Sequence, residues 1–351
     1  MEAELYDRTG SGSVRCTACA RYCELAEGQT GLCGVRANVS GRLDLLVYGM
    51  VISGHVDPIE KKPVTHYMPG SKILSIATTG CNWLCRYCQN HDISQRRKVE
   101  GESMTPAGVA EAALLNGADG IAYTYNEPSI FIEFARDCGL EARKRGLINI
   151  FVSNGYDTPE SVGVMGQFLD SITVDFKGSA EPHFIRKYVG IPDPQPIFDT
   201  ILNIRDRTDI HTEITDLIVP EVGDDAEYAR RLCRFVYDEL GPDTPIHFLR
   251  FHPDYKMMEF GPTPVRTLEV HRQIAIEEGL LYSYVGNVPG HLYEHTYCPG
   301  CGNIAVGRYG FDITSWNLDH SNRCISCGHR IPITGSLSPG YRRNRFHIIR
   351  G

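Results

Sequence analysis

Between residues 72 and 285, short runs of β-branched and aromatic residues alternate with longer stretches in which apolar positions recur with a helical period. The runs are "ILSIAT" (73–78), "GIAYTY" (120–125), "INIFVS" (148–153), "SITVDF" (171–176), "TEITDLIV" (212–219), "IHFLRF" (246–251) and "LYSYVG" (281–286). Each reads as a strand. The stretches between them carry helix start signals. Thr105-Pro106, Thr158-Pro159 and Thr263-Pro264 each set a capping hydroxyl before a proline at the first helical position, and Asp224 with Glu227 reads as a capping-box variant. Strands alternating with helices at this spacing imply right-handed crossovers and a parallel sheet. No GxGxxG follows the first strand, so the α/β pattern suits a partial or complete (β/α) barrel better than a dinucleotide-binding fold.

The polar residues sharpen that expectation because they gather where the strands end. The first strand runs into a loop holding Cys81, Cys85 and Cys88. The second runs into Asn126-Glu127-Pro128 and the third into Asn154-Gly155. Asp175 and Lys177 close the fourth, Arg250 and His252 the sixth, and Asn287 follows the last. The carboxyl ends of parallel strands form the mouth at which such barrels carry out chemistry.

Composition bounds the rest. A chain of 351 residues, 42% hydrophobic, buries one large core with small attachments, and no stretch is apolar enough to span a bilayer. The N-terminal "MEAELYDRTGSG" is polar and acidic, unlike a signal peptide, so a cytoplasmic location is expected. A formal charge of −8 argues against bulk nucleic acid as a partner. "YRRNRFHIIRG" is the basic exception and reads as a solvated tail.

Thirteen cysteines in a chain without an export signal are expected as ligands or nucleophiles, not as disulfides. Cys138 and Cys233 stand alone in amphipathic stretches and read as buried thiols. The others fall into three groups. Cys298, Cys301, Cys324 and Cys327 form two CxxC knuckles, each followed by glycine, and read as a closed zinc-ribbon-like site. Cys16, Cys19, Cys23 and Cys33 offer four soft ligands for zinc or an auxiliary 4Fe–4S cluster. The segment's place ahead of the barrel, away from its mouth, favours zinc. "DPIEKKP" (57–63) connects to the first strand, either as a surface ion-pair cluster or as a lining of the approach to the site.

Cys81, Cys85 and Cys88 supply three thiolates and stop. A zinc site completed by His91 is one reading. The other is a 4Fe–4S cube with one iron free of protein ligands. CxxxCxxC directly after a strand resembles the radical S-adenosylmethionine (SAM) enzymes. The resemblance implies that SAM chelates the open iron and is cleaved reductively to a 5′-deoxyadenosyl radical that abstracts hydrogen from a substrate. It implies that Tyr87 packs near the adenine, and that Asn126 and Glu127 stand where the superfamily holds the SAM ammonium. "SNG" (153–155), "DFK" (175–177) and "FHPDYKM" (251–257) resemble the pyruvate formate-lyase activating enzymes, which implies SAM contacts for Asn154, Asp175, Lys177 and His252.

Longer segments carry a finer likeness. "DPIEKKPVTHYMPGSKILSIATTGCNWLCRYCQN", "YTYNEP", "GNVPGHLYEHTYCPGCG" and "CTACARYCELAEGQTGLCGVRAN" resemble the radical SAM proteins of the AmmeMemoRadiSam system. That likeness implies AMMECR-type and Memo-type partner proteins and a low-potential donor such as flavodoxin or ferredoxin. It divides the chain into a Cys-rich segment and lead-in (1–70), a core barrel of the radical SAM type (71–290), a zinc-ribbon-like module (291–335) and the basic tail (336–351). Two further functions are compatible with these residues: an activase that places a glycyl radical on a partner, and a non-catalytic iron–sulfur and zinc protein for electron transfer or docking.

Overall fold

The computed structural model describes residues 1–10, 12–338 and 340–343, together with the backbone of 347 and 348. Its centre is one twisted sheet. In chain order the strands are β1 (Ser53–Pro58), β2 (Lys72–Ala77), β3 (Gly120–Tyr123), β4 (Ile148–Ser153), β5 (Ser171–Lys177), β6 (His211–Ile218), β7 (Ile246–Arg250) and β8 (Ser283–Gly286). β2 to β8 are parallel and lie side by side in sequence order. β1 pairs antiparallel with β2 and, among the described residues, no pairing joins β8 back to the other edge, so the barrel is partial.

All seven expected strands are present; β1 falls in a stretch read only as a connection. The helices that follow them are α1 (Pro106–Leu115), α2 (Ile132–Arg143), α3 (Pro159–Met165), α4 (Gln195–Arg207), α5 (Ala226–Leu240) and α6 (Val265–Glu277). Thr105 and Thr158 cap α1 and α3 as expected, the latter in a full capping box. Two start signals need correction. α6 begins after Pro264, and Thr263 instead accepts from the Phe251 N–H and donates to the Ile218 carbonyl, tying two strand ends together. The cap of α5 is Asp225, not Asp224, and its carboxylate accepts from the N–H groups of Glu227 and Tyr228.

Alternation along the strands explains the hollow middle. In β5, Ile172, Val174 and Phe176 are fully buried in the main core, whereas Thr173, Asp175 and Lys177 line a central cavity. In β6, Ile214 and Ile218 lie in that core, while Thr215 and Leu217 line the cavity. Cys138 and Cys233 are buried core thiols, as expected.

The open seam is covered by the C-terminal module, whose three-stranded sheet comprises β9 (Thr296–Tyr297), β10 (Ile304–Tyr309) and β11 (Asp312–Trp316). Ile331 and Ile333 share a core with Tyr282 and Tyr284 at the last strand. Thr334 exchanges backbone hydrogen bonds with His66 and Met68, ahead of β2. Beside it, a buried polar knot ties the lead-in to β6 and β7. Glu213 accepts from the N–H groups of Thr65 and His66 at 2.8 and 2.7 Å, from the Thr65 hydroxyl at 2.9 Å and from His247 at 2.8 Å. The solvated tail also needs correction. Leu337 and Tyr341 pack on the module's core, the Tyr341 hydroxyl accepts from the Ile313 N–H at 2.7 Å, and His347–Ile348 pairs with β1. Residues 344–346 and 349–351 of that tail lie outside the described residues.

The N-terminal segment departs from expectation in its position. It packs on the mouth side of the barrel: Ala20 N–H bonds the Tyr156 carbonyl, Thr158 Oγ1 bonds the Thr17 carbonyl, and Arg21 Nε bonds the Asn82 carbonyl inside the cysteine loop.

Candidate functional site

The cysteine loop leaves β2 through Thr78-Thr79-Gly80. Gly80 has φ +90°, and a Cβ there would stand 2.3 Å from the Cys33 carbonyl oxygen, so only glycine fits. Asn126 fastens the turn from the next strand end, its Nδ2 donating to the Gly80 carbonyl at 2.9 Å and to Thr78 Oγ1 at 3.2 Å. Further along, the Leu84 and Arg86 N–H groups bond the carbonyls of Val189 and Tyr188. The loop is thereby pinned at both ends with its sulfurs turned inward.

Cys81, Cys85 and Cys88 line a cavity of about 620 Å3 together with Tyr87, Asn126, Glu127, Asn154, Asp175, Lys177 and His252. Arg250 and Asn287, also expected at the rim, line the same space, whereas Pro128 and Gly155 do not. Burial pushes all three thiols up, Cys85 to about 12, so a bare loop stays protonated. Three thiolates here require a cationic group, and the donor set, soft and short of a fourth sulfur, fits an iron–sulfur cube with one open iron. His91 does not complete a zinc site. Its Nδ1 faces the Cys88 carbonyl at 3.1 Å and its ring stacks on Tyr255 with centroids 4.5 Å apart.

Around the cavity the expected contacts have unequal settings. Tyr87 is buried, stacked on Phe184 and edge-on to Phe251, which leaves it a wall of the cavity. Lys177 Nζ lies 2.6 Å from Asp175 Oδ2, and that carboxylate also accepts from Thr215. Asn154 Nδ2 donates to Asn82 Oδ1 at 2.8 Å, joining the rim to the cysteine loop. His252 is exposed at the edge, with Nδ1 2.9 Å from its neighbour's carbonyl.

Glu127 is buried with Asp157, a partner not recognised from the sequence. Glu127 Oε1 accepts from Ser129 N–H at 3.1 Å and from the hydroxyls of Ser129 and Ser153 at 2.9 Å, and Oε2 accepts from Asn154 N–H at 2.8 Å. Ser129 Oγ also touches Asp157 Oδ1. One hydroxyl hydrogen cannot serve two carboxylates, so one acid carries a proton. Burial and the adjacent Glu127 hold Asp157 well above the usual carboxylate range. Burial raises Glu127 too, but two backbone N–H groups oppose it. Asp157 is therefore the neutral acid, donating to Ser129, which donates to the ionised Glu127. Oε2, with a single donor, keeps a free lone pair.

The stretch 57–63, which the sequence leaves open between a surface ion-pair cluster and a lining of the approach, lies on the cavity wall with Asp57 and Lys62 buried and Lys61 exposed. Asp57 accepts from Lys62 Nζ at 2.7 Å, Lys61 Nζ at 2.9 Å, Ser75 at 2.8 Å and Tyr125 at 2.6 Å. Burial brings Lys62 down to about 8 despite Asp57. Lys61 and Lys62 line the cavity, as do Arg308 and Glu294 of the C-terminal module, which the sequence did not single out.

The module's own cysteines converge. The sulfurs of Cys298, Cys301, Cys324 and Cys327 all lie within 4.8 Å of one another, with Cys298–Cys327 at 3.5 Å and Cys301–Cys324 at 3.8 Å. A tetrahedron of Zn–S bonds of about 2.3 Å has edges of about 3.8 Å, so the quartet is sized for a single ion. Burial pushes Cys298 up to about 12, while the Ser326 and Cys327 N–H groups draw Cys324 down to about 7. A bound dication would let all four ionise.

Residues 75–236 match the family model described as the Radical SAM superfamily. An uncharacterized protein of Methanocaldococcus jannaschii is 42% identical over 335 residues, covering 95% of this chain and 99% of that protein. Among solved structures, a radical SAM methyltransferase from Sphaerobacter thermophilus aligns with TM-score 0.49 at 14% identity, over 62% of this chain and 66% of that one. A domain of pyruvate-formate lyase-activating enzyme from Bacteroides vulgatus aligns with TM-score 0.42 at 17% identity, over 48% of this chain and all of that domain. Among the described residues no helix is long and apolar enough to cross a membrane.

Proposed function

The chain belongs to the radical SAM superfamily, and from that premise we propose that it cleaves SAM reductively and abstracts hydrogen from a substrate held in the central cavity. The observation that carries the reading is the convergence of Cys81, Cys85 and Cys88 with Glu127, Asp175 and Lys177 on one cavity of about 620 Å3. In this reading the three cysteines hold a 4Fe–4S cluster. When bound, that cluster supplies the electron that splits SAM to methionine and a 5′-deoxyadenosyl radical. Glu127 offers its free Oε2 lone pair to the SAM ammonium, a charge-assisted bond. Lys177, fixed by Asp175, provides the cation facing the ribose or carboxylate. Tyr87 walls the adenine side, Asn126 and Asn154 hold the loop and rim, and His252 stands at the entrance. Thr173, Thr215, His247 and Tyr284 extend the cavity inward as a polar surface for the substrate.

The C-terminal quartet in this reading holds zinc and keeps the seam closed. The division into segment and lead-in, barrel, module and tail, and the partnership with AMMECR-type and Memo-type proteins and a flavodoxin or ferredoxin donor, rest on the sequence segments given above. The test is anaerobic incubation of the reduced, iron-loaded chain with SAM, alone and with those partners. The expected products are 5′-deoxyadenosine and methionine, formed slowly without substrate. No 5′-deoxyadenosine under any of these conditions would leave electron transfer or docking as the function.

A further inference from the structure

The N-terminal cysteines take no part in the function proposed above, and their sequence spacing fits either of two metal centres. Their geometry distinguishes them. Cys16, Cys19, Cys23 and Cys33 surround one small cavity whose remaining wall includes Ala18, Gly31 and Ile130. Gly31 sits beside two of the sulfurs, where a Cβ would stand 3.7 Å from Cys23 Sγ and 3.8 Å from Cys33 Sγ. We propose that these four cysteines hold a second 4Fe–4S cluster, not zinc, seated directly against the loop that carries Cys81.

The argument is one of spacing. A zinc tetrahedron draws its sulfurs to about 3.8 Å, and the C-terminal pairs Cys298–Cys327 and Cys301–Cys324 stand at 3.5 and 3.8 Å. A cubane gives each thiolate its own iron, so its sulfurs stand apart around a space. The N-terminal four surround such a space. Among the described residues they do not converge to the C-terminal spacing, and neither do Cys81, Cys85 and Cys88. By this measure the N-terminal group matches the cysteine loop of the barrel and differs from the ribbon.

Position adds a second, independent observation. The Cys33 carbonyl oxygen lies 2.3 Å from where a Cβ of Gly80 would fall, and Gly80 is the residue before Cys81. Arg21, two residues after Cys19, bonds the Asn82 carbonyl at 2.9 Å, and Asn82 itself lines the N-terminal cavity. The two centres are therefore neighbours through direct backbone contact.

The test is metal analysis and EPR of the full-length chain purified without oxygen. Wild type should carry about eight irons and about one zinc. A Cys81→Ala/Cys85→Ala/Cys88→Ala variant should keep about four irons and, on reduction, the EPR signal of a single cluster. In reduced wild type that signal should be broadened by coupling between the two centres. About four irons and about two zincs in wild type would overturn the proposal, as would loss of all iron from the triple variant. Should the variant fail to fold, the wild-type iron-to-zinc ratio decides alone. The outcome is independent of SAM cleavage, because neither the ratio nor the residual signal requires turnover.

Discussion

Glu127 and Asp157 permit a sharp test because the hydrogen bonds assign them different protonation states. Glu127→Gln replaces one oxygen by an NH2 group. The cheapest orientation places that group where Oε2 now accepts from Asn154 N–H, since the other orientation sacrifices three donors on Oε1. One bond to a charged acceptor is lost, at about 1.5–3 kcal/mol, and a buried N–H is left facing another donor, so the total should be about 2–4 kcal/mol. Asp157→Asn places an NH2 donor where the protonated acid already donates to Ser129, and should cost less than about 1 kcal/mol. Urea denaturation under nitrogen, followed by the fluorescence of buried Trp83, measures both. SAM affinity provides the second readout. Loss of the charge at Glu127 should weaken binding about tenfold to a hundredfold with iron content unchanged. Equal destabilisation by the two substitutions, or a larger effect of Asp157→Asn, would refute the assignment of the proton to Asp157.

Three further outcomes are expected. Gly80→Ala must adopt a positive φ and push against the Cys33 carbonyl, costing about 2–4 kcal/mol in urea denaturation and reducing iron content; an unchanged midpoint would contradict the contact. Burial holds His66 down to about 3, so it stays neutral in the fold while the unfolded chain takes up a proton near pH 6.5. Stability present above pH 6.5 should accordingly fall as pH drops toward 3, by about 1.4 kcal/mol per unit at the steepest, and His66→Asn should flatten that limb of the pH–stability curve. Cys301→Ala should abolish zinc binding, loosen the seam at Ile331 and Ile333 as read by hydrogen exchange, and leave iron content intact; retained zinc would contradict the ligand set.

The elements that could be read from the chain are those whose signal is local. The parallel strands announce themselves because runs such as "INIFVS" are dominated by β-branched and aromatic residues. β1, "SGHVDP", contains glycine, histidine, aspartate and proline, and is a strand only because β2 offers it a partner. The same threonine-proline signature caps a helix at 105 and 158 and fails at 263, where the hydroxyl is claimed by groups 12 and 45 residues away. A cap is local chemistry, and a distant partner with better geometry displaces it.

The site divides along the same line, with one exception. Cys81, Cys85 and Cys88 are legible because a short loop after a strand fixes their separation. The contact between Cys33 and Gly80 is not, since nothing near either residue indicates it. Asp57 with Tyr125, 68 residues apart, is likewise invisible, and charged residues read as surface until a structure shows them paired and buried. The exception is the cavity, a tertiary feature with a local signature. A strand filled on both faces is apolar throughout. β5 instead alternates Ile172, Val174 and Phe176 with Thr173, Asp175 and Lys177, so one face meets the helices and the other meets something wet or charged. In a parallel strand covered by helices, polar residues on the inner face require a hollow interior. That alternation, more than any single rim residue, places a polar cavity inside the barrel.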